Sequence, residues 1–243
     1  MDGKKDLKCA WISRGIAGFL IGLGLFLSGL CIKTGIDNFS HRDRTVAVKG
    51  LCEREMPADK VTWPIVVKLT GDDLQTLYQQ VQNSNQAVVS FLTGNGLSKN
   101  EISVNAPQVT DMSANEYASQ NVSYRYIVTA VVTVTSSQVD KVRGLIKRQS
   151  ELMREGIAVV AGDYNYPTVY EFTGLNKIKP QMVAEATKNA RESAIKFAED
   201  SDSKLGKIRS ASQGQFSIEN RDQYTPYVKK VRVVSTVDYY LKD

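Results

Sequence analysis

Residues 124–135 read YRYIVTAVVTVT. Nearly every position holds a β-branched or aromatic side chain, which suits a pleated surface and loses rotamer freedom in a helix. Both faces of the alternation are apolar or threonine-rich, so this strand is predicted to lie in the middle of a sheet. Its counterpart is residues 60–69, KVTWPIVVKL. There Val61, Trp63, Ile65, Val67 and Leu69 alternate with Thr62, Pro64, Val66 and Lys68, the period-two pattern of a strand with one buried face. Pro64 has no N–H to give to a ladder, which predicts an edge strand or a bulge. Upstream, residues 45–55, TVAVKGLCERE, form a further strand candidate interrupted at Gly50. Alternation places Cys52 with Val46, Val48 and Gly50 on a core face. Arg54 follows on that face, the one basic neighbour that would favour a reactive thiolate there.

Helical signals separate these strands. Asp72, with Gln75 three residues on, opens a helix with Leu74, Leu77, Val81, Val88 and Leu92 inward, ending at Gly94-Asn95-Gly96. Residues 97–111 lead into a third strand, and 112–121 form a polar loop. Ser137 with Asp140 opens a second helix, with Val139, Val142, Ile146 and Met153 inward and Gly156 at its end. Residues 167–175 make a short strand. Pro180 suits the first turn of a long third helix. Along it Val183, Ala186, Ala190, Ala194, Phe197, Ser201 and Leu205 recur at helical spacing. So much alanine implies close packing, with the sheet as the expected neighbour. Gly206 is expected to end this helix in a left-handed cap. Residues 207–217 and 230–241 are the last strands, and Val231, Val233, Ser235, Val237, Tyr239 and Leu241 share one face. Neighbouring strands joined by turns favour antiparallel pairing. The expected fold is α+β: an N-terminal transmembrane helix, then a mostly antiparallel sheet domain of two interlocked subdomains with three helices packed on it.

The N-terminus carries the membrane signal. Gly15 to Ile32, GIAGFLIGLGLFLSGLCI, contains no charge. At 1.5 Å per residue it reaches about 27 Å, close to the hydrocarbon thickness of a bilayer. Trp11 falls where an interfacial ring is favoured. A cleaved signal peptide wants a shorter apolar core and a small-x-small exit, which Leu30-Cys31-Ile32-Lys33 does not offer. Ser28-Gly29-Leu30-Cys31 resembles a lipoprotein signal, but Leu30 is too large for the position before the cysteine. An uncleaved signal anchor fits best. The organisation expected is a basic tail at 1–14, an anchor at 15–36, a linker at 37–44 and one domain at 45–243. The short basic tail favours a cytoplasmic N-terminus, a single pass through the cytoplasmic membrane and a periplasmic C-terminal domain. Gly15, Gly18, Gly22 and Gly29 share one helix face, and Gly18-x-x-x-Gly22 is the small-residue pattern that lets two membrane helices approach.

Composition removes several chemistries. His41 is the sole histidine, in the expected linker, and Cys9, Cys31 and Cys52 are far apart. This argues against histidine acid–base chemistry, a disulfide framework and a zinc site. The formal charge is +5, but Lys4, Lys5, Lys8, Arg14 and Lys33 crowd the apolar run, and no nucleic-acid stripe is left. Gly94-Asn95-Gly96 follows a helix rather than a strand, so it reads as a turn and not a phosphate loop. Glu53 with Glu55, Asp72 with Asp73 and Asp200 with Asp202 read as solvated or capping carboxylates. Asn38 and Asn121 start glycosylation sequons, matches that are frequent by chance. No catalytic residue, cofactor site or metal site is expected. Tyrosine is more suggestive: Tyr164, Tyr166 and Tyr170 cluster, Tyr224 and Tyr227 share a loop, and all five are candidate interface residues.

The chain resembles the SIMPL-domain family of bacterial envelope proteins over about residues 45–242. The resemblance rests on VAVKG with ADKVTWPIVV, on GNGLSKNEIS, on YRYIVTAVVTVTSSQVDKVRGLI, and above all on EATKNARESAIKFAEDSDSKLGKIRS. It implies a compact α+β fold, an extracytoplasmic location, ring- or channel-like oligomers in some members and a loose link to envelope and oxidative stress. It supplies no catalytic residues. The retained N-terminal anchor departs from the commoner pattern. The function expected is a membrane-anchored, self-assembling, non-enzymatic envelope protein. Its expected partners are the membrane and further copies of itself, without nucleic acid. The alternative is an envelope binding module that takes a small ligand or a polymer, of unknown identity, on its tyrosine-bearing loops.

Overall fold

The computed structural model describes residues 3–40, 44–114 and 123–242, with side chains described for 18–36, 44–114 and 123–242. His41 and Asn121 lie outside the described residues, as does most of the polar loop, and the side chains of Cys9, Trp11, Gly15 and Asn38 lie outside those described. The first element is a single helix, α1 (Gly3–Ser40), which runs into the stretch expected as linker. Within it Gly18–Ile36 has a mean hydropathy of 1.9 and none of its residues is buried.

After α1 the described chain follows the order β1 (Thr45–Pro57), β2 (Lys60–Gly71), α2 (Leu74–Gly94), β3 (Ile102–Val104), β4 (Gln108–Asp111), β5 (Tyr126–Ser136), α3 (Val139–Arg148), α4 (Ser150–Arg154), β6 (Val159–Val160), β7 (Val169–Glu171), α5 (Leu175–Asp200), β8 (Lys204–Gln213), β9 (Ser217–Asn220) and β10 (Val228–Lys242). The fold is α+β with antiparallel sheets. Four helices follow α1 among the described residues, where three were expected, because the second divides at Gln149. The chain forms two compact units. One comprises residues 1–52, 183–215 and 233–243; the other comprises 53–182 and 216–232. Three of the four boundaries fall inside β1, α5 and β10 and the fourth lies between β8 and β9, so the units' segments alternate along the sequence.

In the first unit the sheet order is β1-β10-β8. β10 alternates as read from sequence, with Val233, Ser235, Val237 and Tyr239 buried. Ala186, Ala190 and Ala194 of α5 are fully buried, the last two packed with Val48, Val237 and Tyr239. The stripe therefore faces the sheet as expected, but it continues through buried Ala198 while Phe197 is 59% exposed. β1 is not interrupted at Gly50. It passes under α5 there, and a Cβ on Gly50 would lie 1.9 Å from the Ala186 carbonyl oxygen and 2.4 Å from the Ala190 nitrogen. Asn189 Nδ2 donates to the Leu51 carbonyl across the same contact. Cys52 is buried beside it, 1% exposed.

Two expectations for α5 fail. The helix starts at Leu175, so Pro180 lies inside it rather than in its first turn, and the Asn176 carbonyl loses its usual donor four residues on. The helix also closes before Gly206. Asp202 takes the left-handed conformation at φ 51°, while Ser203 N–H donates to the Ala198 carbonyl and Asp202 N–H to that of Glu199. That is a Schellman closure with aspartate where glycine is usual. Gly206 instead lies in β8, where a Cβ would meet the Tyr240 carbonyl at 2.6 Å.

The second unit holds a six-stranded sheet of order β3-β5-β2-β6, with β4 also on β5 and β7 also on β2. β5 is central as its composition requires, pairing with β2 over Val61↔Ser136 to Gly71↔Tyr126. The expected third strand resolves into β3 and β4, both on the far side of β5. Val61, Trp63 and Ile65 meet Val132 and Val134 beneath α2 and α3. α2 is capped by Asp73, one residue after the expected Asp72, and Leu74 is exposed while Leu77, Val81, Val88 and Leu92 are buried. α3 is not opened by Ser137. Ser136 accepts from Gln138 N–H and donates to Glu101 at 2.5 Å, holding the Glu101 carboxyl below its ordinary pKa. After α3, bonds to residues three back at Gln149 and Leu152 tighten the chain. The buried face is then Leu145 and Leu152, with Met153 exposed.

Candidate functional site

β2 is not an edge strand, and Pro64 shows why it need not be. On one side it pairs with β5 throughout. On the other, Lys60–Thr62 pair with β7 and Val66–Val67 pair with β6. Trp63, Pro64 and Ile65 fall in the gap, where Pro64 lacks the N–H a continuous partner would use. Across from those three residues the chain takes eight, 161–168, and loops outward. Gly162 at φ 73° begins this loop. The Asp163 carboxylate accepts from Asn165 N–H, and Tyr166 N–H donates to the Asp163 carbonyl, which closes a tight turn. Lys68 of β2 ties the turn down, its Nζ 2.5 Å from Asp163 Oδ2. That ammonium, with the Asn165 N–H, holds the Asp163 carboxyl below the usual aspartate range.

The loop divides two clefts. One, of about 540 Å³, is lined by Trp63, Pro64, Gln149, Asp163, Tyr164 and Tyr166 among others. The second, of about 440 Å³, is lined by Thr62, Asn105, Gln108, Thr129, Thr133 and Tyr166 among others. Pro64, Tyr166 and Pro167 belong to both. The second cleft lies on the sheet face opposite the helices, where register brings Pro64 against Thr133 and Thr62 against Thr135. Asn105 Nδ2 donates to Thr133 Oγ1 at 3.0 Å, and Tyr166 Oη donates to Gln108 Oε1 at 3.4 Å.

The five tyrosines separate into three places. Tyr164 and Tyr166 line the clefts, with Tyr164 95% exposed. Tyr170 and Tyr227 meet edge to face at 6.2 Å, and the Arg143 guanidinium lies 3.4 Å from the centre of the Tyr227 ring. Burial raises the Tyr170 hydroxyl pKa, and this stack reads as packing. Tyr224 stands apart, 87% exposed. Of the paired carboxylates, Glu53 meets Lys230, Glu55 meets Arg221, Asp72 accepts from Arg125 N–H and Asp73 caps α2. Gly18, Gly22 and Gly29 have open space beside them. Sequence reasoning missed Lys68, Asp163, Asn105, Gln108 and the threonine face. The signals present were Pro64 within an apolar strand and the turn chemistry of Gly162-Asp163-Tyr164-Asn165.

The SIMPL family, described as a protein of unknown function (DUF541), matches residues 46–237. No curated protein matches the chain.

Proposed function

The chain belongs to the SIMPL family, and from that premise we propose a membrane-anchored, self-assembling and non-enzymatic protein of the bacterial envelope. α1 crosses the cytoplasmic membrane with its N-terminus inside, and the two units act outside it, in the periplasm. The observation that carries this reading is α1 itself. Phe19, Leu25 and Phe26 are 65–70% exposed, and residues 18–36 show no buried position. A helix that is apolar on every side and covered on none is accounted for by lipid or by other helices. Lys33 near its end is placed to reach the interface.

Assembly is supported by the open glycine face at Gly18, Gly22 and Gly29, where no side chain would hold two helices apart. Crosslinking of the full-length chain in detergent should give multimers, and Gly22→Leu should reduce them to monomer without changing the melt of the folded units. A wild-type chain that stays monomeric at every protein concentration would refute self-assembly. A role in envelope or oxidative stress, drawn from the family resemblance, is tested by the sensitivity of a deletion strain to membrane-active agents and peroxide.

A second reading, a binding module, is favoured by one specific observation. The structure gathers Tyr164 and Tyr166 around two clefts whose sizes lie within the usual range for ligand sites, about 300–1,000 Å³.

A further inference from the structure

We infer that the two clefts meeting at Pro64, Tyr166 and Pro167 bind a neutral sugar chain. This rests on the binding-module reading and names its ligand class. The shared residues Pro64, Tyr166 and Pro167 form a common wall between the clefts, so a ligand longer than one ring reaches both by crossing the 161–168 loop. The lining nearly excludes charge recognition. The second cleft has no Asp, Glu, Lys or Arg in its lining, and the first has Asp163 alone, which Lys68 already neutralises. A charged polymer would leave its counterions and find no opposite charge in return.

What the clefts do offer is amides and hydroxyls: Thr62, Thr129, Thr133, Asn105, Gln108 and Gln149. A sugar hydroxyl both donates and accepts, and these groups do the same. The internal hydrogen bonds are arranged to leave both capacities. Gln108 uses its oxygen on Tyr166 and keeps its amide nitrogen as donor, while Asn105 uses its nitrogen on Thr133 and keeps its oxygen as acceptor. The Tyr164 ring, almost wholly exposed at the rim, gives a flat apolar face for the C–H face of a pyranose. A peptide strand is the poorer occupant. The unpaired edge of β2 extends only over Trp63–Ile65, and its middle residue has no N–H to contribute.

The test is calorimetric titration of the full-length chain, in a detergent without a sugar headgroup, with tetra-N-acetylchitotetraose and with cellotetraose. A Val/Thr-rich hexapeptide is the competing probe. The expected result is saturable binding of both tetrasaccharides, weakened about three- to tenfold by Tyr164→Ala. Gln108→Ala weakens it as well, with the thermal melt of each variant unchanged. Saturable binding that neither variant alters would place the sugar elsewhere and overturn the proposal. Binding of the hexapeptide that Tyr164→Ala weakens, with no sugar binding, would overturn the sugar assignment while leaving the binding-module reading standing. Failure of all three probes to bind a chain that still melts cooperatively would overturn both.

Discussion

The two units cover a sheet with a helix by opposite means. In the first, α5 touches the sheet through Ala186, Ala190 and Ala194, and Gly50 removes even a Cβ from the strand beneath. In the second, α2 and α3 meet β2 and β5 through Val88, Leu92, Val142 and Leu145 against Trp63, Ile65 and Val132. The first contact buries little apolar area per residue and depends on shape, because backbone atoms define its limits. The second buries large side chains and depends on volume. Small-to-large changes should therefore damage the first unit, and large-to-small changes the second.

Gly50→Ala should have the largest effect. Its methyl would fall on the backbone of Ala186 and Ala190, and neither atom can yield without moving α5. Chemical denaturation should show a loss of about 3 kcal/mol or more, with amide protection lost first in residues 183–215. An unchanged midpoint would mean that α5 does not lie where the contact requires.

Leu92→Ala is the converse experiment. Leu92 is fully buried in the second unit, and its truncation should cost about 3 kcal/mol through lost burial and a residual cavity. The amides of the alanine contact should keep their protection longer than those of β2 and β5. Simultaneous loss in both units would show that the two contacts unfold as one.

Ala190→Leu should cost less than Gly50→Ala, about 2 kcal/mol, because a flexible side chain has more ways to yield than a clashing backbone. The loss should be the same whether or not the chain assembles, since Ala190 faces its own sheet. A variant that melts normally and fails to assemble would place the stripe at an interface between copies instead.

The smallest effect is local and depends on acid. Lys68 lowers the Asp163 carboxyl below its ordinary value of 3.8, so this tie stabilises the 161–168 loop above that value. It is lost as the pH falls through the lowered one. The protection of the 161–168 amides, relative to their intrinsic exchange rate at each pH, should hold from neutrality to about pH 4 and fall below it. Lys68→Ala should abolish that acid step. An acid step that persists in Lys68→Ala would assign it to another carboxylate.

What was legible in the sequence follows from which signals are local. The alternation of β5 and β10, the inner face of α2 from Leu77 onward and the glycine ends of α2 and α4 each rest on a few adjacent residues, and they match. Gly96 and Gly156 take positive φ at those ends. The misreadings arise where a local rule has two solutions. Pro64 excludes a ladder bond on one side only, and whether that makes an edge or a gap depends on residues about a hundred positions away. Gly206 fits a helix cap as well as a close strand contact, and Asp202 took the cap. The clefts were the least legible feature. The threonines of the second cleft come from the solvent-facing parity of β2 and β5, which reads in sequence as ordinary exposed threonine, and the polar groups of the first come from Gln149 and the 161–168 loop. Only the eight-residue excursion opposite Pro64 turns that face into a site.

Whether α1 is an uncleaved single-pass anchor is decided by a topology measurement. A reporter active only outside the cytoplasm, fused after Asp243, is combined with N-terminal sequencing of the membrane-bound protein. The expected result is an active reporter on a chain that retains its N-terminal basic residues Lys4, Lys5, Lys8 and Arg14. An inactive reporter, or a cut anywhere between Gly29 and Phe39, would contradict it.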